Sequence, residues 1–241
     1  MTINEPDYGY LLHARPLRDT SLIGEFFLRR QGRIAIVYKH LKKEGKQGAK
    51  ARLLQPFVPL AVSFDGQQEL KSGRLLEAAA ASLMLAGTAL FSGFYLNELL
   101  VRLLQKEEAL PELFTHYEHT LRQLQDAPPE IPLRQFEHQL LRQLGYELVL
   151  DQDTNGDPVQ DGVHYRYEAD SGFIRLPQLP RDPAQLRRCF AGSHLLEIHR
   201  QAYEDSAVRA AAKQLSRLAL APHLGDKPLH SRELFAQLQR R

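Results

Sequence analysis

The sequence predicts an α+β fold in which a small β-barrel comes first and a helical bundle carrying a hairpin insert follows. Three observations carry this expectation. Extended segments rich in Val, Ile, Phe and Tyr fill the first 80 residues, apolar residues recur at helical spacing after residue 76, and that spacing lapses between Tyr146 and Leu176 in a turn-rich stretch. With 241 residues, 43% of them hydrophobic and 25% charged, the chain can build one large core or two small ones, which argues against a disordered polymer.

The extended segments are residues 8–14, 20–28, 33–39, 53–64 and 69–76, with turn-prone Arg15-Pro16, Gln31-Gly32 and Asp65-Gly66 between them. Five strands in so little chain leave no room for parallel crossovers. The expected solution is a small antiparallel barrel of the OB type, spanning residues 1–78, because closure removes most exposed sheet edges. The basic stretch 40–52 then links the third and fourth strands.

Residues 79–241 form the expected helical domain. Ala78 to Asn97 is a run of 20 residues without a charge, long enough for a membrane span, but half of it is Ala, Gly, Ser and Thr. It is read as bundle core. Leu90, Phe94, Leu96, Leu99, Leu100, Leu103 and Leu104 cover nearly every side of one enclosed central helix. A second helix begins at Pro111 and aligns Leu113, Phe114, Tyr117, Leu121 and Leu124. A third aligns Leu133, Phe136, Leu140, Leu141 and Leu144 and stops at Gly145. The insert at about 146–177 combines the turn DQDTNGDPVQDG with the strand-like HYRYEADSGFIRL. A helix over 204–220 is expected to end before Pro222, and a last one to run from Ser231, as N-cap, to Leu238.

Charge is unevenly placed. Residues 29–52 hold Arg29, Arg30, Arg33, Lys39, Lys42, Lys43, Lys46, Lys50 and Arg52 against Glu44 alone, a net +8, so the rest of this +2 chain sums to −6. Such asymmetry points to a polyanionic partner, although basic runs are also common on solvated surfaces. Cys189 is the one cysteine, which excludes a disulfide framework and a Cys-rich zinc site and fits a reducing compartment. The start, MTINEPDYGY, lacks a basic segment followed by an apolar one, and the expected location is cytoplasmic.

Catalytic signatures are absent: there is no GxxxxGK[ST], GxGxxG, GxSxG or HExxH. The pairs His116/His119 and His194/His199 lack the cysteines or acids of a metal site. Asp151-Gln-Asp153-Thr-Asn155-Gly156 imitates the start of a calcium loop, but Gly162 stands where its bidentate glutamate belongs, so the segment is read as a tight turn. No catalytic residue, metal or cofactor is assigned. A hydrolase using His and Asp from the insert would need a cleft that no spacing suggests.

Several strings, taken in order, resemble one family: LHARPLRDTSL, LLQPFVPLAVSFDG, LFSGFYLNELLVRLL, LRQFEHQLLRQLGYEL, GDPV with YRYEADSGF, and LALAPHLGDKPLHSRELF. Together they resemble RecO, the bacterial recombination mediator family, over nearly the whole chain. The resemblance implies a non-enzymatic, nucleoid-associated protein that binds single- and double-stranded DNA and anneals complementary strands. It further implies contact with the acidic C-terminal tail of single-stranded DNA-binding protein and, with RecR, help in loading RecA. Many members carry a four-cysteine zinc site in the insert; here Asp153 stands about where one cysteine is expected, so the insert must hold itself without zinc.

On this reading the basic 39–52 segment, Arg15, Arg18 and Arg33 on adjoining strands, and Arg29 and Arg30 are the DNA contacts, and their grip is expected to be sequence-independent and salt-sensitive. Tyr38 and Phe57 are read as barrel core before base-stacking residues. Arg134 and Arg142, two turns apart on one helix, and Arg232 are candidates for the basic rim of an apolar pocket that takes the acidic tail. The alternative is another OB-fold protein acting on structured RNA.

Overall fold

The computed structural model of the chain describes residues 5–17, 20–39 and 51–238. It begins with five strands, β1 (Asp7–Leu17), β2 (Ser21–Leu28), β3 (Gly32–Tyr38), β4 (Pro59–Asp65) and β5 (Leu70–Ala78), closed into a barrel in the order β1-β2-β3-β5-β4. This is the expected OB-fold, with one departure: β3 and β5 run parallel, Val37 opposite Ser72. The reason is parity. A closed ring with an odd number of strands cannot alternate direction at every step, so at least one neighbouring pair must be parallel. Leu11, Phe26, Leu28, Ile34, Ile36, Leu60, Val62, Phe64 and Leu76 fill the interior. Tyr38 and Phe57 belong to the buried core, as the sequence reading expects.

The fourth strand is shorter than the apolar run suggests. Residues 51–53 make a helical turn, Phe57 has φ 65°, and the ladder begins only at Pro59. The charge-free run likewise divides. Residues 79–86 lie outside regular secondary structure and are largely exposed, held by Ala79 N–H to Pro59 O (2.8 Å) and Leu83 N–H to Phe57 O (3.0 Å), and helix α1 (Gly87–Leu103) starts where they end. Leu90, Phe94 and Leu103 are half-buried, so α1 is less enclosed than expected. Among the described residues no helix is long and apolar enough to cross a membrane.

Helix α2 (Pro111–Asp126) buries the five apolar residues its period predicts. Phe114 and Tyr117 pack against Tyr10 and Phe27 on the outside of the barrel, with ring centroids 5.3–6.0 Å apart. Asn97 of α1 ties these parts together. Its Nδ2 donates to Leu12 O (3.1 Å) where β1 is bulged between Leu11 and His13, and its Oδ1 accepts from Tyr117 Oη (2.6 Å). Gly32, at φ 71°, lets the 105–110 segment lie on β3, since a Cβ there would stand 1.7 Å from Glu108 O.

By contact density the chain divides into residues 1–129 with 227–241, and residues 130–226. The second unit contains α3 (Glu130–Gln143), β6 (His164–Glu168), β7 (Gly172–Leu176), α4 (Pro183–Leu186), β8 (Cys189–Ala191), α5 (Gly192–His199) and α6 (Ser206–Leu224). Gly145, at φ 83°, ends α3 as anticipated. The hairpin β6–β7 is where the sequence places it, and β8 extends it to a three-stranded sheet in the order β7-β6-β8. Its aromatic core is Tyr165, Tyr167, Phe173 and Phe190. Asp153 organises the preceding turn, accepting at Oδ1 from the amides of Asn155 (2.8 Å) and Asp157 (3.1 Å).

Two helix ends differ from expectation. Helix α6 runs through Pro222 to Leu224, because a proline in the last turn loses a single backbone bond and Gly225, at φ 65°, supplies the stop. Helix α7 (His230–Leu238) belongs to the first unit and is not capped by Ser231. Glu98 of α1 caps it instead, accepting from the amides of His230 and Ser231 (both 2.9 Å) and from Ser231 Oγ (2.7 Å).

Two outcomes follow. Asn97→Ala removes the partner of a buried carbonyl and of a buried phenol, and is expected to lower unfolding free energy by about 2–4 kcal/mol in urea titration. Partial burial pushes the Glu98 carboxyl up, but the Ser231 and His230 hydrogen bonds and Arg102 outweigh it and hold it below the usual glutamate range. The docking of α7 is therefore fully stabilised above the ordinary glutamate pKa and weakens as pH falls through the depressed folded value. Hydrogen exchange of residues 229–238 should rise selectively at acid pH in the wild type, and at neutral pH in Glu98→Gln.

Candidate nucleic-acid interface

The described basic residues of 29–52 do not form one patch. β3 separates them, and seven residues at the rise of a strand reach roughly 20 Å. Arg29 and Arg30 occupy the β2–β3 turn, beside the Leu28–Gly32 pair. Lys39 leaves the opposite end of β3, beside the Leu22–Tyr38 pair. Arg15 shares Lys39's end, because Arg15 is opposite Ile23 and Ile23 is opposite Val37. Both side chains are exposed. Arg52 is exposed on the 51–53 turn, whose Ala51 and Leu53, with the following Leu54, pack on the barrel core. Arg18, Lys42, Lys43, Lys46 and Lys50 lie outside the described residues, but the connection that carries the four lysines departs after Lys39 and returns at Ala51.

Two of the expected contacts, Arg33 and Arg30, make ion pairs within the barrel unit. Arg33 is drawn inward, its side chain 14% accessible: Nη1 pairs with Glu25 (3.2 Å) and Nε donates to Leu104 O (3.0 Å), so it fastens the end of α1 to the barrel. Arg30 remains partly exposed but is engaged by Glu5 (3.2 Å) and Asp7 (3.5 Å). Conversely, Arg74 escaped the sequence reading because it stands alone in a mixed-charge stretch. The parallel register of β3 and β5 carries it two residues past Ser72, toward Lys39's end of the barrel, where it is exposed and paired with Asp65.

The expected tail-binding arginines also separate. Arg134 is 8% exposed and pairs with the fully buried Glu137 at 2.8 Å, so it is part of the interior of α3 and cannot serve as a surface rim. Arg142 is exposed, 3.6 Å from Glu147. Arg232, in the first unit, lies over the Tyr95 ring, 5.3 Å from its centroid. Burial pushes the pKa of His138, on the same helix as Arg134, below the ordinary histidine value, so it adds no charge there at neutral pH.

A cavity of about 470 Å³ in the second unit is lined by Tyr146, stacked on His223 at 3.8 Å, and by Phe173, Glu147, Asp153 and Asp170. Its acidic lining does not suit a polyanion. Among the described residues no group of three His, Cys, Asp or Glu side chains is placed to hold a metal.

Residues 1–81 match the family described as Recombination protein O N terminal, and residues 84–233 match Recombination protein O C terminal. The chain belongs to the RecO family. A DNA repair protein RecO from Pseudomonas paraeruginosa is 44% identical over 236 residues, covering 98% of this chain and 96% of the relative. Proteins of the same description from Actinobacillus succinogenes (98% and 97% covered) and Haemophilus influenzae (97% of each) are each 41% identical. A role in DNA repair and recombination follows from RecO membership at this level of identity and coverage.

The division between structural and surface arginines is measurable. Arg33→Ala should destabilise the fold by about 1–3 kcal/mol through the stranded Leu104 carbonyl and Glu25, whereas Arg15→Ala and Lys39→Ala should change stability by less than about 0.5 kcal/mol. Thermal and urea unfolding of the three variants compare them directly.

Proposed function

We propose that this RecO-family chain is a non-enzymatic mediator that binds single- and double-stranded DNA through one end of its OB barrel. On this reading it anneals complementary strands coated with single-stranded DNA-binding protein and, with RecR, promotes RecA loading. The observation that carries the proposal is the gathering of exposed Arg15 and Lys39 at a single barrel end, from which the Lys42/Lys43/Lys46/Lys50 connection departs. Two DNA strands repel until cations screen both, and each neutralised phosphate releases counterions, so a basic barrel end favours both binding and strand pairing. Contact with the acidic tail of single-stranded DNA-binding protein is assigned to Arg142 or Arg232, since Arg134 is committed to Glu137.

Charge reversal tests the reading. In Lys42→Glu/Lys43→Glu/Lys46→Glu, affinity for single- and double-stranded DNA should fall at least tenfold irrespective of sequence, and the slope of log K against log salt should become shallower by about 0.7–0.9 per lost contact. Undiminished affinity would refute the assignment. Competition with structured RNA, if it displaced DNA completely at equimolar concentration, would favour the RNA-binding alternative.

A further inference from the structure

Helix α6 is unusual for its charge. The sequence SAVRAAAKQLSRLALAPHL contains no acidic residue in 19, although residues 130–226 as a whole hold eleven Lys and Arg against fourteen Asp and Glu. Arg209, Lys213 and Arg217 follow one another at four-residue spacing, which aligns them on one face at intervals of about 6 Å. Like charges so spaced destabilise a helix by a few tenths of a kcal/mol per pair, and here no acid within the helix offsets them.

Elsewhere in this unit five arginines pair with a carboxylate, Arg134 with Glu137, Arg142 with Glu147, Arg166 and Arg188 with Glu168, and Arg200 with Glu197, while Arg175 donates to Gln160 Oε1 and Arg209 to the Tyr203 and Glu204 carbonyls. Among the described residues no carboxylate lies within ion-pair distance of Lys213, Arg217 or Arg187, and all three are exposed. Gln214 donates to Arg187 O and so holds the Arg187 segment beside this part of α6. Burial pushes the Lys213 pKa down, and Arg217 and Arg134 push it further, against the opposing pull of Glu130 and Glu137. The site is a place where positive charges crowd one another.

We propose that the Lys213/Arg217 face of α6, with Arg187, is a second phosphate-backbone site that holds a nucleic-acid strand separately from the barrel. The inference rests on the DNA-binding reading above and extends it, because annealing requires two strands to be held at once. The face fits a backbone better than an acidic peptide. The other exposed positions of α6 are Ser206, Ala207, Ala210, Ala221 and Pro222, all compact, which allow close approach, while Val208, Leu215 and Leu220 are buried and leave no apolar floor to anchor a peptide.

The test uses the full chain carrying Lys213→Glu/Arg217→Glu, with Lys213→Gln/Arg217→Gln as a milder second variant whose thermal unfolding should match the wild type. Anisotropy with a labelled single-stranded oligonucleotide should show affinity reduced no more than about threefold, while the annealing rate of bare complementary oligonucleotides should fall at least tenfold in the charge-reversed protein. Annealing at the wild-type rate in both variants would overturn the inference. So would unchanged annealing accompanied by lost binding of a labelled aspartate-rich peptide, which would make this an acidic-peptide surface. A wild-type chain that binds no DNA would instead overturn the barrel reading, so the two failures are distinct.

Discussion

The architecture of the first unit depends on one buried amide. β1 has to bend to close a five-stranded barrel, and it does so by a bulge between Leu11 and His13 that takes the Leu12 carbonyl out of the strand ladder. Such a carbonyl, sealed beneath two helices, is costly unless it finds a donor. Asn97 supplies that donor and, with its other end, accepts from Tyr117, so a single side chain joins barrel, α1 and α2. The aromatic contacts of Tyr10 and Phe27 with Phe114 and Tyr117 surround this junction and keep water from it.

The same helix brings together two short strings that lie within the segments of the family resemblance. YLNELL contributes Tyr95, Asn97 and Glu98; LHSRELF contributes His230, Ser231 and Arg232. Their contacting residues are 132 to 137 apart in the chain and meet in space: Glu98 caps the amides of His230 and Ser231, and Arg232 covers the Tyr95 ring. The C-terminal helix is therefore held to the barrel unit by the helix that also fixes the barrel's bulge. The compact units divide at 129/130 and 226/227, whereas the two family halves meet between residues 81 and 84.

Charge is partitioned by the same logic. Arg33, Arg134 and Lys71 are drawn into low-exposure positions and each is matched by a carboxylate, since an unmatched charge there would be strongly unfavourable. Arg15, Lys39, Arg52, Lys213 and Arg217 remain at the surface, where water can solvate them and a polyanion can reach them. Counting basic residues along the chain mixes these two populations. Solvent exposure and ion-pair partners separate them.

What the sequence by itself determined was local. The extended segments of β1–β3, the faces of α2 and α3, the Gly145 stop and the β6–β7 hairpin each follow from residues within one or two turns or strand lengths, because composition, period and turn chemistry act at that range. The closed barrel was legible from strand number, and core roles for Tyr38 and Phe57 from their type. Tertiary structure alone decided what depends on distant partners: the parallel β3–β5 pair that an odd ring requires, the barrel end that Arg15 and Lys39 share, and the Glu98 cap in place of Ser231. Each of these is a pairing between groups whose proximity exists only once the chain has folded, and no window along the sequence contains both partners in their folded surroundings.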